Sequence, residues 1–431
     1  MKVCVFGLYH TGSTVAASLA SAGFSVAGLD FDGGAVKGLQ GGTPPLFEPG
    51  LEELFKFAIE AEQLSFTSDP EKALDGCDLV WVTFDTPVDD RDNADVGYVT
   101  ENVVKVFPYL KDGSVLLISS QLPVGTTSSL ERAFCQAFPQ RRVSFAYSPE
   151  NLRLGSSIES FKNQARVVVG MRCVEGRDVI KRLFGPFGFP IVWMGVESAE
   201  MTKHALNAFL AASVAFINEI AAICERVGAE CKDVETGLKS EPRIGKGAYL
   251  KPGGAFSGGT LARDVKFLIS IAEKNGLKPG LLSSIQKSND EHKLWAERKL
   301  SEYFGSLKGR KVTVLGLTYK PQTSTLRRSG AIGLCGRLVG MGAQVRAYDP
   351  AIRRLPPRFN SKVIVLDSSM DALLGADALV VATEWEDFKR LTADNLADSM
   401  RHPLVLDQSG FLESALKHDP RIKYITVGKA V

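Results

Sequence analysis

The stretch MKVCVFGLYHTGSTVAASLASAGFSVAGLD (1–30) decides the fold. Val3–Phe6 is a short apolar run that ends at Gly7. From about Thr11 to Ala22 small and apolar residues follow a helical pattern, and Ser25–Leu29 is a second apolar run closing on Asp30. Strand, helix, strand at this spacing is a parallel βαβ unit. Further short apolar runs at Leu79–Thr83, Val115–Ser119, Val143–Ala146 and Arg166–Val169 extend it to a doubly wound sheet. A second pattern of this kind begins at Lys311: a strand over 312–317, a helix from about Ala331 to Met341, then Gln344–Asp349, Ala378–Ala382 and Leu404–Asp407. Between the two, Glu197–Arg226 is a nearly uninterrupted helical pattern, apolar on more than one face. It suits either a helix buried in the core or one shared between domains or subunits. The stretch KPGGAFSGG (251–259) is too rich in glycine to be an element interior. The expected architecture is α/β: two Rossmann-like doubly wound domains, 1–196 and 301–431, joined by a helical central domain with a long helix, 197–300.

The turn after the first strand carries the chemistry. Gly7-Leu8-Tyr9-His10-Thr11-Gly12 stands where GxGxxG fingerprints place a dinucleotide pyrophosphate on a helix N-terminus. The second glycine is replaced by Tyr9, whose side chain can obstruct that approach. Asp30, at the end of the second strand, either accepts a hydrogen bond from a ribose 2′-hydroxyl or caps a turn. A carboxylate there would repel a 2′-phosphate, so NAD is expected over NADP.

Composition narrows the partners. Of 431 residues, 45% are apolar and 23% charged, as in ordinary globular proteins, and the net charge is only +2. That balance gives no electrostatic reason to expect a nucleic acid or a membrane surface as partner, so an anionic ligand needs a local cluster of positive groups. The opening MKVCVFGLYHTG is not a signal peptide, and no stretch approaches the roughly 18 apolar residues that span a bilayer. A cytoplasmic location is expected. The seven scattered cysteines lack paired spacing and read as reduced thiols, with neither a disulfide frame nor a metal site.

Six blocks then occur in order: GGTPPLFEPGLEEL (41–54), PVGTT (123–127), SPENLRLGS (148–156), AEMTKHALNAFLA (199–211), PRIGKGAYLKPGGAFSGGTLARDVKFL (242–268) and LGLTYKPQTSTLRRSGA (315–331). Together they make the chain resemble the UDP-glucose/GDP-mannose dehydrogenase family. The resemblance implies oxidation of a UDP- or GDP-linked sugar by NAD in a homodimer built through the long helix. In that family a sugar CH2OH is oxidised twice, the intermediate aldehyde being captured by a cysteine as a thiohemiacetal. The resemblance places Lys203, Asn207, Asp264, Glu150 and Thr260 at the catalytic positions. It sets Gly7, Gly12, Asp30, Thr86, Gln121, Leu154, Arg263 and Arg327 beside the cofactor. Arg153, Arg243, Tyr249, Leu250, Lys251, Gly253, Ser257 and Lys320 fall at substrate-facing positions. Lys203 and Asn207, at i and i+4, share one helix face, where an ammonium and an amide can stabilise a developing alkoxide.

The chain also departs from the family pattern, and three of the departures bear on the second oxidation. Thr260 takes the place of the nucleophilic cysteine, and an alcohol needs a dedicated base that a thiol does not. Gln121 stands where the family has threonine, Leu154 replaces a glutamate, and Ser324 and Thr325 replace acidic residues. The residues for the first hydride transfer are kept. The expected activity is therefore a two-electron oxidation to an aldehyde or ketone, or an internal redox of the epimerase or dehydratase kind. The alternatives are a 6-dehydrogenase forming a uronic acid, and a nucleotide-sugar-binding pseudoenzyme, which Tyr9 favours.

Overall fold

The computed structural model describes residues 1–89, 94–150, 152–257, 259–356 and 362–430. Asn151 and Gly258, each inside one of the motif blocks, lie outside the described residues. The chain forms two compact units, Met1–Ala205 and Leu206–Val431.

In the first unit the strands are β1 (Lys2–Phe6), β2 (Ser25–Leu29), β3 (Leu64–Thr67), β4 (Leu79–Val82), β5 (Val115–Ile118), β6 (Ser144–Tyr147), β7 (Val167–Met171) and β8 (Ile191–Met194). They stand in the order β3-β2-β1-β4-β5-β6-β7-β8. Strands β1, β4 and β5 are almost wholly buried, as parallel strands covered on both faces must be, which is why VCVF, LVWV and VLLI are unbroken apolar runs. One pair, β6 with β7, is antiparallel, a departure from the parallel pattern expected of the sequence. The intervening 148–166 segment is pinned by buried Glu48, which accepts from the N–H groups of Gly155 and Ser157, so the chain re-enters the sheet at the end it left.

The second unit holds β9 (Lys311–Leu315), β10 (Gln344–Tyr348), β11 (Ile364–Val365), β12 (Ala378–Val381), β13 (Leu404–Asp407) and β14 (Lys423–Ile425) in the order β11-β10-β9-β12-β13-β14, all parallel. Strands β3, β8, β11 and β14 had no counterpart in the sequence reading. Each is only 2 to 4 residues long and too short to show a period. The helices used below are α1 (His10–Ser21), α2 (Thr126–Ala137), α3 (Val196–Val227), α4 (Thr260–Lys274), α5 (Gly280–His292), α6 (Trp295–Phe304) and α7 (Gly330–Gly340).

Both sheets use one local device. The strand at the centre of each ends in a left-handed glycine, Gly7 (φ 98°) and Gly316 (φ 87°). A Cβ at Gly316 would lie 2.5 Å from Thr383, and one at Gly12 would lie 1.8 Å from the Gly7 carbonyl oxygen, so neither position accepts a side chain. The next N–H is then taken by the carboxylate closing the following strand: Leu8 by Asp30 at 2.7 Å, Leu317 by Asp349 at 2.6 Å.

The 32-residue helix α3 corrects the expectation about membrane-spanning stretches, since by length and composition it is apolar enough to cross a bilayer. Its buried polar side chains are nevertheless paired inside the protein. Asn218 bonds the backbone of Gly253 and Gly254, and Glu225 accepts from Trp295 and Gly428. Glu200, fully buried in the first unit, accepts from Gly125 N at 2.6 Å, Thr127 N at 3.0 Å and Thr127 Oγ1 at 2.7 Å. It thereby caps α2, whose own N-cap Gly125 has no side chain to offer, and its charge meets the positive end of the helix dipole. Glu200→Ala leaves three donors, two of them buried, without this acceptor and is expected to lower unfolding stability by about 3 kcal/mol. Urea denaturation of the two proteins measures the loss; a change below about 0.5 kcal/mol would show that Glu200 is not the cap.

Candidate active site

In the first unit the helix α1 begins at the Gly7–Gly12 turn, so its free N–H groups face the crevice at the carboxyl ends of the strands. Gly7 and Gly12 make that crevice because no side chain fits at either. Tyr9 has a negative φ (−77°), open to any residue, and is half exposed, so the turn is built without a glycine at that position. Asp30 holds Leu8 N and, through its other oxygen, Asp32 N at 3.0 Å. It remains partly exposed, and a carboxylate oxygen has lone-pair sites to spare for a ribose hydroxyl. The donor set and the side-chain-free cradle fit a dinucleotide.

The structure joins two further pairs of the sequence-assigned residues. Thr86 donates to the Gln121 carbonyl at 2.8 Å, and the Lys203 ammonium donates to the Glu150 carbonyl. Burial pushes the Glu150 carboxyl above its ordinary range, with Lys203 opposing, the direction that suits a proton-transfer group. Beside Lys203 on α3, buried His204 is bonded to the Leu122 carbonyl at 3.0 Å. Arg153 and Leu154 lie on the surface just past Glu150. One contributor was missed: Glu48 also bonds His10 of the fingerprint at 3.2 Å. Burial works against its charge, but the N–H groups of Ser157 and Gly155 and the His10 ring outweigh this and hold its carboxyl below the ordinary range. Only its place in a motif block hinted at that role.

In the second unit Asn207 donates to Asp264, and both are buried. The bond fixes the orientation of the Asn207 amide. Asp264 sits one turn along α4 from Thr260, which is exposed and opens the helix directly after Gly259 (φ 129°). A cavity of about 380 Å³ lies in this unit, its wall including Phe256, Ser257, Tyr319, Arg328, Ser329 and Gln408. Tyr249, Lys251, Lys320 and Arg327 are exposed, Gly253 and Arg263 partly so, while the Leu250 side chain packs into the core. Arg243 is spent on Glu241 at 2.8 Å and lies at the surface. All seven cysteines are free. Burial pushes the Cys77 thiol up to about 11 and those of Cys231 and Cys335 to about 12, so these three thiols are poor nucleophiles. Among the described residues no group of three His, Cys, Asp or Glu could hold a metal ion.

Three comparisons bear on this arrangement. Residues 1–188, 197–291 and 313–414 match the NAD binding, central and UDP binding domains of the UDP-glucose/GDP-mannose dehydrogenase family. The UDP-glucose 6-dehydrogenase TuaD of Bacillus subtilis is 32% identical over 409 residues, covering 94% of this chain and 88% of that one. A UDP-glucose 6-dehydrogenase of Rhizobium meliloti is 32% identical over the whole of both chains. A UDP-glucose dehydrogenase structure from Pyrobaculum islandicum superposes with a TM-score of 0.86 at 28% identity, covering 100% of this chain and 98% of that one. NAD is the cofactor these matches indicate. Asp30→Ala should weaken its binding by about 1.5–3 kcal/mol, the size of a hydrogen bond to a charged group. Calorimetric titration reads this directly, and an unchanged dissociation constant would remove Asp30 from the site. With three domain models matched in order and relatives aligned end to end, the chain belongs to the UDP-glucose/GDP-mannose dehydrogenase family of NAD-dependent nucleotide-sugar oxidoreductases.

Proposed function

We propose that this chain oxidises a nucleotide sugar, with UDP favoured over GDP, by two electrons to an aldehyde or ketone, or carries out an internal redox of the epimerase or dehydratase type. The observation that carries the reading is Thr260 at the start of α4, where the family's resemblance puts a cysteine. NAD bound at the α1 N-terminus supplies the oxidising equivalent. Lys203 and Asn207, one turn apart on α3, stabilise the alkoxide as the sugar hydroxyl loses its proton, and Glu150, raised by burial, is placed to take part in that proton transfer. Asp264 acts by holding the Asn207 amide. The exposed cations Lys251 and Lys320 supply the local positive charge that a diphosphate needs and the net charge of +2 does not, Arg243 being held by Glu241. Thr260 cannot follow the family's second oxidation: a thiol ionises near pH 8.5, whereas a hydroxyl stays protonated and would give an ester in place of a thioester. The 6-dehydrogenase activity for which the relatives are named favours a second reading, a 6-dehydrogenase in which the hydrated aldehyde is oxidised without covalent capture.

The same proposal includes the three-part division 1–196, 197–300 and 301–431 and a cytoplasmic homodimer. Support for the dimer comes from α3, on which Phe209, Phe216 and Ile223 are exposed at seven-residue intervals. That spacing drifts only about 20° per step, so the three form one apolar stripe suited to a second copy of the helix. Light scattering at micromolar concentration should give twice the 46.6 kDa chain mass, and a monomer would sink this part.

The reaction itself is tested by stoichiometry. Each sugar converted to a released oxidised product should yield at most one NADH, and an internal redox should yield none while product forms. Two NADH per sugar with a uronic acid, read by absorbance and mass spectrometry, would overturn the assignment of Thr260 and favour the second reading.

A further inference from the structure

The wall of the second unit's cavity includes Gly254–Ser257, part of a glycine-rich loop that follows Pro252. Such a stretch has little conformational preference of its own. Its backbone is instead gripped by side chains from two helices. Asn218 of α3 accepts from Gly253 N at 3.1 Å and donates to the Gly254 carbonyl at 3.4 Å. Asn289 of α5 accepts from Phe256 N at 2.9 Å and donates to the Phe256 carbonyl at 2.8 Å. His292, one turn further along α5, donates from Nε2 to the Gly253 carbonyl at 2.7 Å. All three side chains are buried, Asn289 to within 1%. A carboxamide can satisfy an N–H and a C=O of the same residue at once, since it carries an acceptor and donors in one plane.

We infer that Asn289, supported by Asn218 and His292, is a positioning residue for the nucleotide sugar: it holds the 253–257 loop in the pose that forms the cavity wall. This rests on the proposed nucleotide-sugar chemistry, with the nucleotide taken by this cavity, most of whose wall lies within the 313–414 stretch that matches a UDP binding domain. The Phe256 ring seats in an apolar cluster with Ala208, Ala211, Ala262 and Ile285, so one end of the loop is anchored by packing and the other by the Asn218 and His292 bonds. Asn289 joins the two by fixing the peptide groups on either side of Phe256. A loop held in place before binding does not lose freedom when the ligand arrives, and affinity gains accordingly.

The test titrates UDP and, separately, NAD into the full-length wild type, Asn289→Asp and Asn289→Ala by calorimetry, with melting temperatures recorded. Asn289→Asp keeps shape and the acceptor for Phe256 N while losing the donor, so it carries the test if Asn289→Ala does not fold. The expected result is a UDP dissociation constant about tenfold weaker in the variants, the size of one lost hydrogen bond, with the NAD constant unchanged. Unchanged UDP affinity in a folded variant overturns the inference. So does a parallel fall of UDP affinity, NAD affinity and melting temperature, which would mark Asn289 as a fold-wide support only. If the wild type itself binds no UDP, the reading of the cavity fails, and the inference falls with it.

Discussion

Everything in this protein hangs on the backbone N–H that follows the central strand of each sheet. A left-handed glycine turns the chain away from the strand end, and a carboxylate from the neighbouring strand takes the N–H that would otherwise be lost in the crevice. The same pairing recurs at the opposite end of those strands, where Asp78 accepts from Lys2 N at 3.1 Å and Asp377 from Lys311 N at 2.8 Å. Two sheets of similar order are thus clamped by the same four-part device. Without it the first helix of each sheet could not start where it does.

The device is shared, but its availability is not. Asp30 retains exposure, whereas Asp349 is wholly buried and also accepts from Thr318 N at 3.0 Å, Thr318 Oγ1 at 3.2 Å and Trp385 Nε1 at 3.2 Å. The indole N–H takes the carboxylate oxygen that a ribose hydroxyl would need. The first sheet therefore keeps its carboxylate for a dinucleotide, and the second consumes the corresponding group in its own structure. This asymmetry explains how one topology serves a cofactor in one unit and a different kind of cavity in the other.

Helix α3 shows why composition alone misleads. Its apolar content matches a bilayer span, yet each buried polar residue on it has a partner of matching chemistry within its own unit: Glu200 with three donors, Asn207 with Asp264, Asn218 with two backbone groups, Glu225 with Trp295, Gly428 and Lys299. An isolated glutamate in hydrocarbon would be costly; here it is the acceptor a neighbouring helix end lacks. Polar residues that look out of place in a hydropathy reading are the ones that anchor the helix.

By itself the sequence determined the α/β class, both sheets' central strands, the Gly7–Gly12 turn with Asp30 and the family blocks. These are properties of residues close together in the chain, where period, glycine position and motif spacing act locally. Only the tertiary structure decided that Glu48 binds Gly155 and Ser157, that Glu200 caps a helix seventy-odd residues earlier, that Asn289 clasps Phe256, and that Trp385 donates to Asp349. It also decided the antiparallel entry of β7 and the short edge strands. The reason is physical. A buried carboxylate or amide is selected by whichever unpaired backbone group the packed fold leaves beside it, and partners 33 to 109 residues apart in the chain carry no local pattern to announce them.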